Sequence, residues 1–157
     1  MIQKSFVMIK PDGVQRELVG EIITRFEKKG LKIVGLKLMV VPRYLAEKHY
    51  ECHKGKPFFE DLIQFITSGP VIAMVMEGEN IIAIIRKMLG ATKPGDAEPG
   101  TIRGDYVLDA GQNIIHASDS LDSADREIGL WFDEEDLIDY HLAMKHWINS
   151  PPKISKV

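Results

Sequence analysis

Apolar residues in this chain come in short, compact runs, and no other feature limits the possible folds so strongly. Phe6-Val7-Met8-Ile9 lies between Lys4 and Lys10 and stops at Pro11-Asp12-Gly13. Leu31–Val41 is rich in branched residues and stops at Pro42. Val71–Met76 is almost wholly apolar, and Ile114–His116 is the shortest run. Such runs, bounded by turn-forming residues, predict buried strands, and none approaches the length of a membrane span. Between them the pattern changes to a helical one. Leu18, Ile22, Ile23 and Phe26 recur at helical spacing, with Gly30 where a C-terminal cap belongs. Tyr44–Glu51 predicts a short helix. Pro57 opens another, with Phe58, Phe59, Leu62, Ile63 and Ile66 on or near one face and Gly69 at its end. Asn80 stands where it can cap a helix running to Leu89.

After the last strand, Ser120, Asp122 and Ser123 offer caps for a helix around Ala124–Gly129, and Trp131 and Phe132 are predicted to pack back on the core. Asp136–Asn149 carries further helical pattern, and Ser150-Pro151-Pro152 starts a tail. The order predicts an α+β fold, a ferredoxin-like αβ sandwich: a four-stranded antiparallel sheet in β-α-β-β-α-β order, with a helical insertion between strands 2 and 3. The insertion brings Tyr50 and Phe58 to a rim that the basic fold lacks. No repeat, low-complexity segment or linker divides the chain, so one domain over residues 1–157 is expected, long enough for a real core. Gly90–Gly104 is different in kind. It contains Gly90, Pro94, Gly95, Pro99, Gly100 and Gly104 with Lys93 and Arg103 among them, and a loop of this length is either functional or disordered.

Composition narrows the function. The formal net charge of -3 gives no basic excess for a polyanionic partner, so no specific nucleic acid is expected. Cys52 is the only cysteine, which excludes an intrachain disulfide and favours a reducing compartment. Lys4 and Lys10 flank too short an apolar run for a secretory signal, so the expected address is cytoplasmic, with no membrane partner. There is no G-x-x-x-x-G-K-[ST] loop, no G-x-G-x-x-G, no histidine-arginine-aspartate catalytic loop and no G-x-S-x-G elbow around Ser118 or Ser120. His49, Cys52 and His53 superficially suggest a metal cluster, but no fourth ligand accompanies them and the grouping reads as chance.

The chemistry concentrates in Asn113-Ile114-Ile115-His116-Ala117-Ser118-Asp119-Ser120. A histidine ending a short strand is held by the sheet yet open to a cleft, and imidazole is substantially uncharged near neutral pH. Lys10, Tyr50, Arg86, Thr92, Arg103 and Asn113 are potential donors scattered along the chain. Each alone has a plain explanation as a solvated charge, a cap or a strand start.

Taken together, the blocks resemble nucleoside diphosphate kinases. Beside the histidine segment stand Lys10-Pro11-Asp12-Gly13-Val14, Tyr50 with His53, Lys56-Pro57-Phe58-Phe59, Ser68-Gly69-Pro70-Val71, Gly100-Thr101-Ile102-Arg103-Gly104-Asp105 and Glu127-Ile128-Gly129-Leu130-Trp131-Phe132. They follow the order and spacing of that family from about residue 4 to about residue 148. The resemblance implies transfer of the γ-phosphoryl group of a nucleoside triphosphate to a nucleoside diphosphate by a ping-pong route, with His116 as the phosphorylated nucleophile. It implies that Arg86, Arg103 and Thr92 hold phosphates, that Lys10 and Tyr50 lie beside the transferred group, and that Lys10 and Asn113 lie near the sugar hydroxyls. Ser118 and Glu127 would orient and tune the histidine. Phe58 would stack on the base without reading it, giving broad base and sugar tolerance, while Phe59 belongs to the core. Mg²⁺ is expected to arrive on the nucleotide phosphates, with no dedicated metal site. A homo-oligomer is implied, a hexamer more than a tetramer. Ala117 departs from the glycine common at that position, and alanine keeps the turn unless a positive φ is required. The alternative is a non-catalytic ferredoxin-like module binding nucleotide or RNA; mainly aliphatic strands and a slightly acidic charge argue against it.

Overall fold

The computed structural model describes residues 1–150. Strand β1 (Ile2–Ile9) occupies an inner position in the sheet, and β2 (Lys32–Val40), β3 (Pro70–Glu79) and β4 (Ile115–Ala117) complete it in the order β2-β3-β1-β4. Every pairing is antiparallel. The ferredoxin-like arrangement expected from the element order is the one observed.

The apolar run of β1 is continuous because both of its faces are covered. Val7 and Ile9, with Ile72, Met74 and Met76 of β3, face α2 (Val19–Lys29) and α5 (Ile81–Leu89). Phe6 and Met8, with Val71, Ala73 and Val75, face α3 (Arg43–His49), α4 (Phe59–Ile66) and α7 (Leu121–Trp131). Side chains alternate along a strand, so one sequence feeds two cores. The inserted α3 and α4 therefore do structural work as well as building a rim.

Local chemistry explains the ends of these elements. Gly30 closes α2 with φ of 94°, a left-handed conformation that suits glycine. Ser120 caps α7 by accepting from the Ser123 N–H, while the Ser123 hydroxyl accepts from the Ser120 N–H. Through this start α7 extends from Leu121 to Trp131, well beyond the helix the sequence predicts. Pro11-Asp12-Gly13, read as a turn, is the first turn of α1 (Pro11–Gln15), with proline where a missing N–H costs nothing. β3 continues past Met76 to Glu79 because Ile2–Lys4 supply backbone partners whatever the side chains. Asn80 precedes α5 in a left-handed conformation, φ 51°, without a side-chain capping bond.

Two regions depart further from expectation. The loop after Gly90 holds a 3₁₀ turn at Pro94–Asp96 and then α6 (Ile102–Tyr106), capped by Thr101. The helix expected over Asp136–Asn149 reduces to α8 (Lys145–Ile148). Ile138 instead donates its N–H to the Val34 carbonyl, and the Tyr140 hydroxyl donates to that of Ile33. A bulge between Ile33 and Gly35 presents those carbonyls at the sheet edge, and they outcompete helix formation. Pro151 and Pro152 lie outside the described residues.

Ser120→Ala removes the acceptor of the α7 cap. Urea unfolding is expected to register a loss of about 1 kcal/mol, since capping hydroxyls contribute roughly 0.5–2 kcal/mol.

Candidate active site

His116 is the middle residue of β4 and stands opposite Met8 of β1. Ile115 and Ala117 on either side point into the α2/α5 core, which turns the His116 ring to the other face. There it meets Phe6, with ring centroids 5.9 Å apart, and His49 of α3, at 4.9 Å and nearly perpendicular. The ring is partly exposed. Its Nε2 contacts Oε2 of Glu127, a buried residue of α7. A carboxylate accepts, so the proton sits on Nε2 and the lone pair is left on Nδ1. That leaves Nδ1 as the ring nitrogen with a free lone pair.

His49 completes this corner. The Trp131 indole N–H donates to His49 Nδ1 at 3.1 Å, leaving the imidazole proton on Nε2. Burial, and after it the neighbouring His116 and Lys10, drive the His49 pKa down to about 2. His49 is therefore a neutral wall beside the nucleophile. Donor atoms of His49, His116 and Glu127 lie within 4.8 Å of one another. All three are already committed, His49 to Trp131 and His116 and Glu127 to each other, which argues against a resident metal. Cys52 and His53 stay outside this group, and Cys52 is exposed.

Cations gather on the other side. Lys10 donates from Nζ to Oδ1 of Asn113 at 2.8 Å. Burial and the nearby Arg103 bring its pKa down to about 8, against an opposing pull from Asp12. Arg103 is buried in α6 and donates to the carbonyls of Gly90 at 3.0 Å and Ile115 at 2.6 Å. Burial and then Arg86 lower its pKa to about 10, so it stays charged at neutral pH. Arg86 of α5 reaches the Ala117 carbonyl at 3.4 Å. Like charges held this close, at a cost in desolvation, form a site for an anion.

Aromatic rings lead away from the nucleophile. From His49 the next ring is Tyr50 at 4.8 Å, then His53 at 6.3 Å from Tyr50, then Phe58 at 5.3 Å from His53. Burial, and then the Glu127 carboxylate, push the Tyr50 hydroxyl up to about 12, so it remains a donor. Phe58 is 45% exposed at the head of α4, while Phe59 packs against the core.

Lys10, Asn113, Arg86 and Arg103 thus gather along β4, Glu127 meets the His116 ring itself, and Tyr50 and Phe58 lie along the aromatic series that leads away from it. Two residues named from the sequence stand apart. Thr92 is exposed in the loop after α5 and makes no hydrogen bond to the others among the described residues. Ser118 faces inward: its hydroxyl accepts the Phe6 N–H at 3.1 Å and donates to the Phe6 carbonyl at 3.4 Å, so it braces β1 and not the ring. His49 and Asp12 were not singled out for this site. A histidine adjacent to Tyr50 was the available signal for the first. An aspartate between an apolar strand and a glycine was the signal for the second.

The chain is similar to known proteins over nearly its whole length. A family model described as nucleoside diphosphate kinase matches residues 3–137. A nucleoside diphosphate kinase of Carboxydothermus hydrogenoformans is 62% identical over 147 residues, covering 94% of this chain and 99% of that relative. One of Staphylococcus epidermidis is 59% identical with the same coverage. Among solved structures, a halophilic nucleoside diphosphate kinase of Halobacterium salinarum in complex with CDP aligns with a TM-score of 0.92 and 51% identity, covering 95% of this chain and 99% of that one.

The pKa of Lys10 near 8 has two measurable effects. Above it the ammonium charge is lost, so ADP affinity is expected to fall as pH rises through about 8, and Lys10→Arg to move that loss to higher pH. Between about 8 and 10.5 the unfolded chain binds more protons than the folded one, so the stability of the unliganded protein rises with pH there. Isothermal titration and thermal melts across pH 7–10 check both.

Proposed function

The chain belongs to the nucleoside diphosphate kinase family and is a phosphotransferase acting on nucleotides, and from that premise we propose that phosphate passes through His116. Nδ1 attacks the γ-phosphorus of a nucleoside triphosphate, an N–P bond forms, and the bond to the bridging oxygen breaks to release the diphosphate. A second diphosphate then attacks the phosphohistidine, and the steps reverse. The observation that carries this reading is the Glu127 contact on Nε2, which leaves Nδ1 free as nucleophile and stabilises the positive charge the ring gains on phosphorylation.

Arg86, Arg103 and the Thr92 hydroxyl hold the phosphates, and Lys10 and Tyr50 lie beside the group in flight. Lys10 and Asn113, already joined, meet the sugar hydroxyls. Phe58 stacks on the base. Stacking does not depend on base identity, so purine and pyrimidine nucleotides, ribo and deoxy, are all substrates; the CDP held by the Halobacterium salinarum relative is in keeping with this. Ser118 acts indirectly, through β1.

Mg²⁺ is carried in on the nucleotide, where it neutralises and orients phosphate oxygens. The residues fit that mode. Asp119 is the acidic group facing Arg86, and the Ser123 hydroxyl, 2.8 Å away, holds its carboxyl below the usual range. One such carboxylate suits an outer contact through water and not a cage. The non-catalytic alternative is not favoured by the identity to named kinases over nearly the whole chain.

Residues 1–157 act as one unit in the cytoplasm; no helix among the described residues is long and apolar enough to cross a membrane. They assemble as a closed homo-oligomer, a hexamer before a tetramer. The support for association is the edge strand β2, where Leu36, Leu38 and Val40 are 52%, 67% and 64% exposed. A stripe of this kind on a sheet edge is a template for another chain.

Incubation with γ-labelled ATP and Mg²⁺ is expected to give an acid-labile, base-stable phosphoprotein, and His116→Ala to abolish both label and transfer. Turnover retained in that variant would defeat the assignment. Phe58→Ala is expected to raise KM about tenfold for ATP and CTP alike, since stacking on a base contributes about 1–3 kcal/mol.

A further inference from the structure

Between Asn113 and Ile115 the backbone is strained. Ile114 has φ of 59°. This conformation is a genuine outlier for a branched residue. The Ile115 N–H donates to the Asn113 carbonyl at 2.7 Å, closing a three-residue turn around Ile114. Turns of this kind with positive φ at the centre are rare and costly. The residues carried on either side are Asn113 and, two positions on, His116.

The turn is gripped from the end of β1. Asp12 accepts the Ile114 N–H through Oδ2 at 3.0 Å, and the Lys10 N–H donates to the Ile114 carbonyl at 2.9 Å. Both backbone polar groups of the strained residue are therefore bound by one short segment. A Cβ on Gly13 would stand 2.9 Å from the Ile114 oxygen and 2.7 Å from Ile9, so the approach is as close as glycine permits. Asp12 is nearly buried, and its Oδ1 has no hydrogen-bond partner among the described residues. A half-satisfied buried carboxylate is expensive. Its charge also opposes the loss of the Lys10 proton.

We propose that Asp12 is a positioning residue: by holding Ile114 in its strained turn it sets the aim of Asn113 and His116 at the nucleotide. The proposal deepens the phosphohistidine reading and rests on it. Asp12 touches neither substrate nor reacting atoms. A misplacement of about 1 Å at a nucleophile can lower a rate by about a hundredfold, so a clamp of this kind is felt mainly in kcat.

Single-turnover labelling of His116 by saturating γ-labelled ATP tests it, with folding checked by circular dichroism. Asp12→Ala is expected to slow labelling at least about tenfold. Asp12→Asn keeps an acceptor for the Ile114 N–H and is expected to stay within about threefold of wild type, while the loss of nucleotide affinity on raising pH moves to lower pH because the charge that sustains the Lys10 proton is gone. Glycine accepts a positive φ without strain, so adding Ile114→Gly to Asp12→Ala is expected to recover labelling rate even though it removes a buried side chain. A merely structural aspartate predicts the opposite, a further loss. A folded Asp12→Ala labelled at the wild-type rate, a double variant no faster than the single one, or a folded Asp12→Asn more than tenfold slow overturns the proposal. Absence of label on the wild-type protein counts against the phosphohistidine reading itself.

Discussion

Three residue pairs between β1 and β4 decide where His116 stands. β4 is too short to define its own position, and it borrows that of β1, which is buried on both faces. Met8 opposite His116 sets the register, and a slip of one residue would send the imidazole into the α2/α5 core. Glu127, Trp131 and His49 are useful only because the ring arrives on their side of the sheet. The two-sided burial of β1 thus fixes the place of the His116 ring as well as the stability of the sheet.

The site stores unfavourable electrostatics. Lys10 and Arg103 are both held below their ordinary pKa by burial and by neighbouring positive charge. Without ligand these groups weaken the fold. In the proposed reaction a polyphosphate would supply the missing negative charge and so return binding energy where phosphate must be held in line. His49 is the counterpart: buried beside the same groups, it gives up its charge and serves as packing. Cation and neutral ring are sorted by the same local field.

Much of this was legible in the residues. Branched runs gave the strands, glycine and proline gave most boundaries, and it was the resemblance to nucleoside diphosphate kinases that grouped Lys10, Arg103, Asn113 and His116, which singly read as ordinary surface or strand residues. What escaped was of two kinds. Backbone strain at Ile114 is invisible in composition, since isoleucine is among the least expected residues at positive φ. Competition between partners is equally hidden. Ile138 and Tyr140 lie in a helix-compatible stretch, yet bulge carbonyls on β2 claim them. Ser118 likewise binds β1, which its place beside the histidine gave no reason to expect.

The covering of β2 by Ile138 and Tyr140 is lopsided. It engages the carbonyls of Ile33 and Val34 and leaves Leu36, Leu38 and Val40 open. One end of this border is fenced and the other is a gate. A neighbouring strand of the proposed homo-oligomer would add on the Val40 side, since Ile138 and Tyr140 already occupy the carbonyls of Val34 and Ile33. Residues 138 and 140 would then set the length of β2 left for such a neighbour.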